Sequence, residues 1–142
     1  MTKEQVFELM NKNPSFHLAT IDGNFPRVRG MFLYRADRDG VIFHTGAYKD
    51  LYRQVLACQN AELCFNGQNM QIRVSGCLEI VDDNALKDEI VNHPTRAFLQ
   101  GWRNSTTPEE FYKAFVVLRL KNGTAVTWTA ETNLMPKVEI KL

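Results

Sequence analysis

The sequence predicts a mainly β protein, an antiparallel barrel with small helices at its edges and ends. Three observations carry this expectation. Short apolar segments recur along the chain, turn formers such as Asp22-Gly23-Asn24 and Asp37-Arg38-Asp39-Gly40 separate them, and most connections are too short to hold a crossover helix. The short connections disfavour a parallel α/β sheet. Seven short strands in a meander would leave unpaired edges, which closure into a barrel removes. An α+β arrangement is the fallback.

The elements follow in order. Thr2 with Gln5 fits a capping box, and Val6, Phe7 and Met10 share one face, so residues 3–12 read as a short helix that Asn13-Pro14 stops. Residues 16–21, 27–34 and 41–45 read as three successive strands of a hairpin meander. From Tyr48 the apolar positions Leu51, Tyr52, Val55 and Leu56 take helical spacing, and that helix ends near Gln59. Residues 61–65 are a short strand, and Asn66-Gly67 turns into the longest alternating segment, residues 70–81. There Met70, Ile72, Val74, Leu78 and Ile80 oppose Gln71, Arg73, Ser75 and Glu79, with Gly76 at a bend. Leu86 and Ile90 lie on a helix ending near His93-Pro94, and Thr107-Pro108-Glu109-Glu110 starts another. Residues 115–120 and 124–128 close the chain as a hairpin through Lys121-Asn122-Gly123.

At 142 residues, with 44% hydrophobic and 23% charged residues, the chain reads as one domain spanning residues 1–142. A net charge of +1 supplies no broad basic surface, so no nucleic-acid partner is expected. Cys58, Cys64 and Cys77 are odd in number and lack metal-ligand spacing, so they read as reduced thiols, with no metal expected. No stretch approaches the ~18 apolar residues of a membrane span. The Met-Thr-Lys-Glu start lacks the apolar run of a signal peptide, and a cytoplasmic protein without a membrane partner is expected.

Chemistry is concentrated where the third strand meets the second helix. Thr45, Gly46 and Lys49 place a hydroxyl, a glycine and a cation at a helix start, where free N–H groups and the macrodipole favour an anion. A solvated turn, with Lys49 and Arg53 paired to Asp50, is the alternative. Arg27 and Arg29 share a face of their strand, and Gly30 beside them admits close approach of a flat ligand. Two arginines facing water on an open sheet would leave the same pattern. His17 and His93 read as structural, whereas His44 adjoins the turn and is the one candidate to protonate a reduced substrate.

The segments PRVRGMFL, FHTGAYKDLYRQ and MQIRVSGCLEI, in that order, resemble the FMN-binding split-barrel family of pyridoxamine 5'-phosphate oxidase-like proteins, in particular the branch that includes the nitroimidazole-resistance proteins. The resemblance extends from about Phe16 to about Ile80. It implies a split antiparallel barrel and a homodimer with two FMN sites at its interface. It also implies that Arg29, beside Arg27, contacts the phosphate or ribityl chain and that the backbone of Gly30 and Met31 lies against the isoalloxazine ring. By the same resemblance Phe43, His44 and Thr45 border the cofactor, Lys49 holds the phosphate, and Gln71 reaches the flavin of the partner subunit. Two departures stand out: Tyr48 occupies a place where many relatives carry a small hydroxyl residue, and the C-terminal arginine and tryptophan pattern of true pyridoxamine phosphate oxidases is missing.

The function expected on these grounds is an FMN-dependent oxidoreductase, passing electrons from NAD(P)H or another donor to a small flat acceptor such as a nitroaromatic or a quinone. The competing reading is a non-catalytic flavin or haem carrier or sensor, and a third is an interaction protein that has lost the cofactor site. Residues 96–107, with Gly101, Trp102 and the Asn104-Ser105-Thr106-Thr107 run, read as a mobile flap over the slot.

Overall fold

A computed structural model describes all residues, 1–142. The capping box of Thr2 and Gln5 forms, and helix α1 (Lys3–Lys12) buries Val6, Phe7 and Met10. Strands β1 (Ser15–Asp22), β2 (Phe25–Phe32), β3 (Arg35–Asp37) and β4 (Gly40–Gly46) lead to helix α2 (Asp50–Ala57). Strands β5 (Asn60–Asn66) and β6 (Gln71–Val81) precede a helical excursion of α3 (Asn84–Asn92), a 3₁₀ turn (Pro94–Arg96), α4 (Leu99–Asn104) and α5 (Pro108–Ala114). Strands β7 (Phe115–Leu120), β8 (Thr124–Trp128) and β9 (Glu139–Lys141) complete the chain. The two strands absent from the sequence reading, β3 and β9, are three residues each, too short to show alternation.

All pairings are antiparallel, in the order β2-β1-β5-β6-β7-β4-β3, with β8 joined to β6 and β9 to β8. The mainly antiparallel split-barrel architecture is therefore as expected, but the sheet does not close into a ring. Two of its free edges, β2 and β3, are protected by other means. Strand β3 is very short, and β2 carries Pro26, Arg27 and Arg29, features that discourage further pairing.

The opening meander is broken at one place. Leu33 N–H donates to the Pro14 carbonyl (2.7 Å), whereas the next residue, Tyr34, donates to the Ile42 carbonyl (2.9 Å). Successive backbone groups thus pass the chain from one half of the barrel to the other, so β2 and β4 do not pair. A gap opens between them. The expected closing hairpin is also absent: β7 pairs with Leu78–Val81 of β6 and β8 with Gln71–Ser75, both along the same side of that long strand. Asn122, at φ 54°, and Gly123 are a kink between consecutive partners of β6 rather than a hairpin turn. A Cβ on Gly123 would lie 2.5 Å from Leu120 Cδ2 and 2.9 Å from Val74 Cγ1, so the crossing has no space for a side chain.

Two cores result. The larger holds Phe16, Leu18, Phe43, Leu63, Phe65, Val74 and Leu118 between the halves of the barrel. The smaller holds Ile42, Ile90, Val91, Leu99, Phe111, Phe115 and Val117, so α3 to α5 cover the outer face of β4 and β7. Strand β4 is consequently buried on both faces, with His44 its one partly exposed residue. The segment expected to be a mobile flap is helical and rests on this smaller core. Arg96 and Leu99 are buried, and Trp102 stands edge-on to Phe111 at 5.1 Å.

Candidate functional site

The gap between β2 and the β4–α2 turn is a cleft of about 800 Å³, within the range of roughly 300–1,000 Å³ found for small-molecule sites. One wall is Arg27, Val28, Arg29, Gly30 and Met31 of β2; the other includes His44 and Thr45 of β4 and Lys49, Leu51 and Gln54 at the start of α2. The turn is anchored at both ends, since Ala47 N–H donates to the Ala114 carbonyl (2.8 Å) and Lys49 N–H to the Gly46 carbonyl (3.0 Å). Tyr48 folds its ring over Gly46, where a Cβ would fall 2.6 Å from Tyr48 Cε1, so the glycine makes room for the ring.

No side chain caps α2; Tyr52 N–H donates to the Lys49 carbonyl (3.1 Å), which leaves the N–H groups of Asp50 and Leu51 free to meet a ligand. The Thr45 side chain is buried at the cleft floor and the Lys49 ammonium is exposed at its edge. Neither hydroxyl nor ammonium has a hydrogen-bond or ion-pair partner in the chain. Arg53, by contrast, lies outside the cleft and is bound to Asp22 (3.0 Å) and Asp50 (3.7 Å), the solvated pairing that the sequence left open. Arg27 shares Asp22 at 3.4 Å, and these arginines hold the Asp22 carboxyl below its ordinary value.

Arg29 is held by neutral groups. Its Nη1 donates to the Thr20 hydroxyl (2.6 Å) and the Leu18 carbonyl (3.3 Å), and its Nη2 donates to Gln54 Oε1. Thr20 also donates to Gln54 Oε1 at 2.6 Å, and both side chains are buried. The guanidinium is thereby aimed without being neutralised, and burial lowers its pKa while Asp50 opposes the shift. The cleft lining carries Arg27, Arg29 and Lys49 against Asp22 and Asp50, an excess of one positive charge.

His44 lies on the same wall but differs in chemistry from the sequence expectation. Arg96 Nε donates to its Nε2 at 2.9 Å. Burial first, then the charges of Arg96 and Lys49, push its pKa down to about 4. The ring is neutral at physiological pH, so the role of proton donor that its position invited is not available to it there.

Of the residues singled out from the sequence, Arg27, Arg29, Gly30, Met31, His44, Thr45 and Lys49 meet in this cleft, and two do not. Phe43 is fully buried in the larger core against Phe16, ring centroids 5.2 Å apart. Gln71 lies in a separate depression beside Trp128 and donates to Asn66 Oδ1 at 3.1 Å. Gln54 and Thr20 were missed. Their signal was present, because each is a polar residue at a core position, Gln54 between Leu51 and Val55 on the apolar stripe of α2 and Thr20 after Phe16 and Leu18 in β1. A polar side chain in such a place needs a partner.

The family model for pyridoxamine 5'-phosphate oxidase matches residues 2–127. The pyridoxine/pyridoxamine 5'-phosphate oxidase of Rhizobium meliloti (strain 1021) is 29% identical over 103 residues, which are 70% of this chain and 50% of that protein. The chain therefore spans about half the length of this curated relative. A NimC/NimA family protein from Clostridium acetobutylicum superimposes with a TM-score of 0.77, covering 98% of this chain and 92% of that one at 18% identity. A pyridoxamine 5'-phosphate oxidase-related, FMN binding protein from Nostoc punctiforme PCC 73102 gives 0.67, covering 96% and 87% at 19% identity. At these identities the solved structures establish the fold.

Proposed function

The chain belongs to the pyridoxamine 5'-phosphate oxidase family, and from that membership we propose that it is a flavoprotein whose cleft holds FMN by its phosphate. The observation that carries the reading is the convergence of uncommitted groups: the Lys49 ammonium and Thr45 hydroxyl at an uncapped helix start, opposite an Arg29 aimed by Thr20 and Gln54. The residues fit the group. Lys49 supplies a point charge and Arg29 a fixed fork, while Asp22 is already engaged by Arg27 and Arg53. A Cβ on Gly30 would meet nothing within 4 Å, so the wall next to Arg29 is open to a flat ring.

When bound, the flavin would supply the redox chemistry. The chain contributes the anchor and orientation from its own residues. The proposed activity is transfer of electrons from NAD(P)H or another donor to a small, flat, electron-poor acceptor, a nitroaromatic or a quinone. A homodimer forms part of the proposal. Val28 and Phe32, which share a face of the edge strand β2, are exposed beside the open cleft, an apolar surface suited to a second copy.

A visible spectrum of the purified protein, followed by titration with FMN, tests the reading. Stoichiometric binding with flavin absorbance supports it, and no binding at micromolar FMN refutes it. Oxidation of NAD(P)H with a nitroaromatic or quinone, above the rate of free FMN, then separates an oxidoreductase from a carrier.

A further inference from the structure

Arg96 is 1% exposed, yet no carboxylate pairs with it. Burying a guanidinium without a counterion is expensive, and the side chain is accommodated by neutral acceptors instead. Nη2 donates to the Leu33 carbonyl (2.8 Å), Nη1 to the Thr95 hydroxyl (3.1 Å) and Nε to His44 Nε2 (2.9 Å). The rings of Phe32 and Tyr34 flank it at 5.2 and 5.6 Å. This arrangement joins the 3₁₀ turn, the Leu33 crossover and the cleft wall at one atom of one histidine.

A guanidinium has no acceptor to offer, so His44 Nε2 must present its lone pair to Arg96 and the ring proton must sit on Nδ1. Nδ1 has no partner within the chain. The buried side-chain polar atoms left without a hydrogen bond are Arg35 Nε and Arg73 Nε, so Nδ1 is not sealed in, and His44 lines the cleft. The groups around the ring reinforce the neutral form: Arg96 from the 3₁₀ turn and Lys49 from the β4–α2 turn are cations, and Phe98 and Phe115 are apolar.

We propose that Arg96 is a positioning residue that locks His44 in its Nδ1–H tautomer, so that the cleft wall presents a fixed, neutral donor to an acceptor oxygen of the bound ligand. That oxygen is a carbonyl of the flavin ring or a carbonyl or nitro oxygen of the electron acceptor. The ligand half of this inference rests on the proposed function; the tautomer half does not.

Long-range ¹H–¹⁵N NMR of the histidine-labelled chain without flavin tests the tautomer. His44 is expected to show a protonated Nδ1 and an unprotonated Nε2, unchanged between pH 7 and pH 5. In Arg96→Met the proton should redistribute toward Nε2 and titration should rise toward the ordinary histidine range. A wild-type ring protonated on Nε2, or one that titrates near pH 6.5, overturns the proposal, and this result does not depend on whether the variant folds. With FMN added, loss of one such hydrogen bond should weaken the ligand that receives it roughly 3- to 10-fold. A drop in FMN affinity for Arg96→Met assigns the oxygen to the flavin; a rise in KM for the acceptor with kcat held assigns it to the acceptor. Neither change, beside a shifted tautomer, overturns the ligand role. A wild type that binds no FMN refutes the proposed function and this ligand role with it, while the tautomer is decided by the spectrum alone.

Discussion

Acid stability offers a direct reading of the buried histidine, through the comparison of the wild type with His44→Gln. Glutamine keeps an acceptor for Arg96 but cannot titrate. In the wild type the folded pKa is about 4, below the ordinary value of 6.5. The sign follows from which state binds the proton first. Between those two values the unfolded chain is protonated at His44 and the folded chain is not, so stability falls as pH falls through this window, at about 1.4 kcal/mol per pH unit. Below the folded pKa the slope from this group returns to zero. From pH 7 to pH 4 the integrated loss from His44 is about 3 kcal/mol. Carboxylates such as Asp22 and Glu110, held below their ordinary values, are common to both proteins and cancel in the difference. Urea-induced unfolding at half-unit pH steps measures it. The wild type should lose about 3 kcal/mol more than His44→Gln over that interval. Parallel pH profiles for the two proteins would mean that His44 is solvated when folded, and the account of the Arg96–His44 contact would fail.

Three further outcomes follow from the geometry. Lys49→Ala removes a free cation from the cleft edge and should weaken FMN binding by roughly 10-fold or more, given about 1.5–3 kcal/mol for a charge-assisted hydrogen bond, with fluorescence titration as the readout. An unchanged affinity would remove the anchor from the proposal. Gln54→Ala leaves the buried Thr20 hydroxyl and Arg29 without their shared acceptor and should destabilise the fold by about 1–3 kcal/mol in urea unfolding, while also weakening FMN binding because Arg29 is no longer aimed. Gly123→Ala forces a methyl against Leu120 and Val74 and should lower stability by about 1–3 kcal/mol with the cleft unaffected; a neutral effect would show that the crossing can open.

The site owes its shape to strands that stay apart. Because Leu33 and Tyr34 bond to opposite halves of the barrel, β2 and β4 separate by a gap wide enough for a ligand. The helical layer over β4 then buries the outer face of the same strand and delivers Arg96 to His44. One wall of the cleft is therefore backed by a packed core and a buried charge, whereas the β2 wall is an open edge.

Much of this protein was legible in its residues. The capping box of α1, the alternation in β1 and β6, the helical spacing of α2 and the mainly antiparallel class all follow from local periods and turn chemistry, which act within a few residues. The grouping of Arg27, Arg29, Gly30, Met31, His44, Thr45 and Lys49 was legible too, through the ordered segments that resemble the family. Pairing was not. An Asn-Gly signal at residues 122 and 123 is equally compatible with a hairpin and with a kink, and only the length of β6, which accommodates β7 and β8 in succession, decides between them. The same holds for the electrostatics. Little near His44 in sequence marks it as neutral, because desolvation by burial, the main cause, is a property of the packed whole, and the guanidinium that adds to it comes from residue 96. Local sequence determined most of the elements and which groups could hold an anion, and tertiary packing decided the shortest strands, which strands pair, where the cleft opens and which titratable groups carry charge, since those depend on contacts between distant parts of the chain.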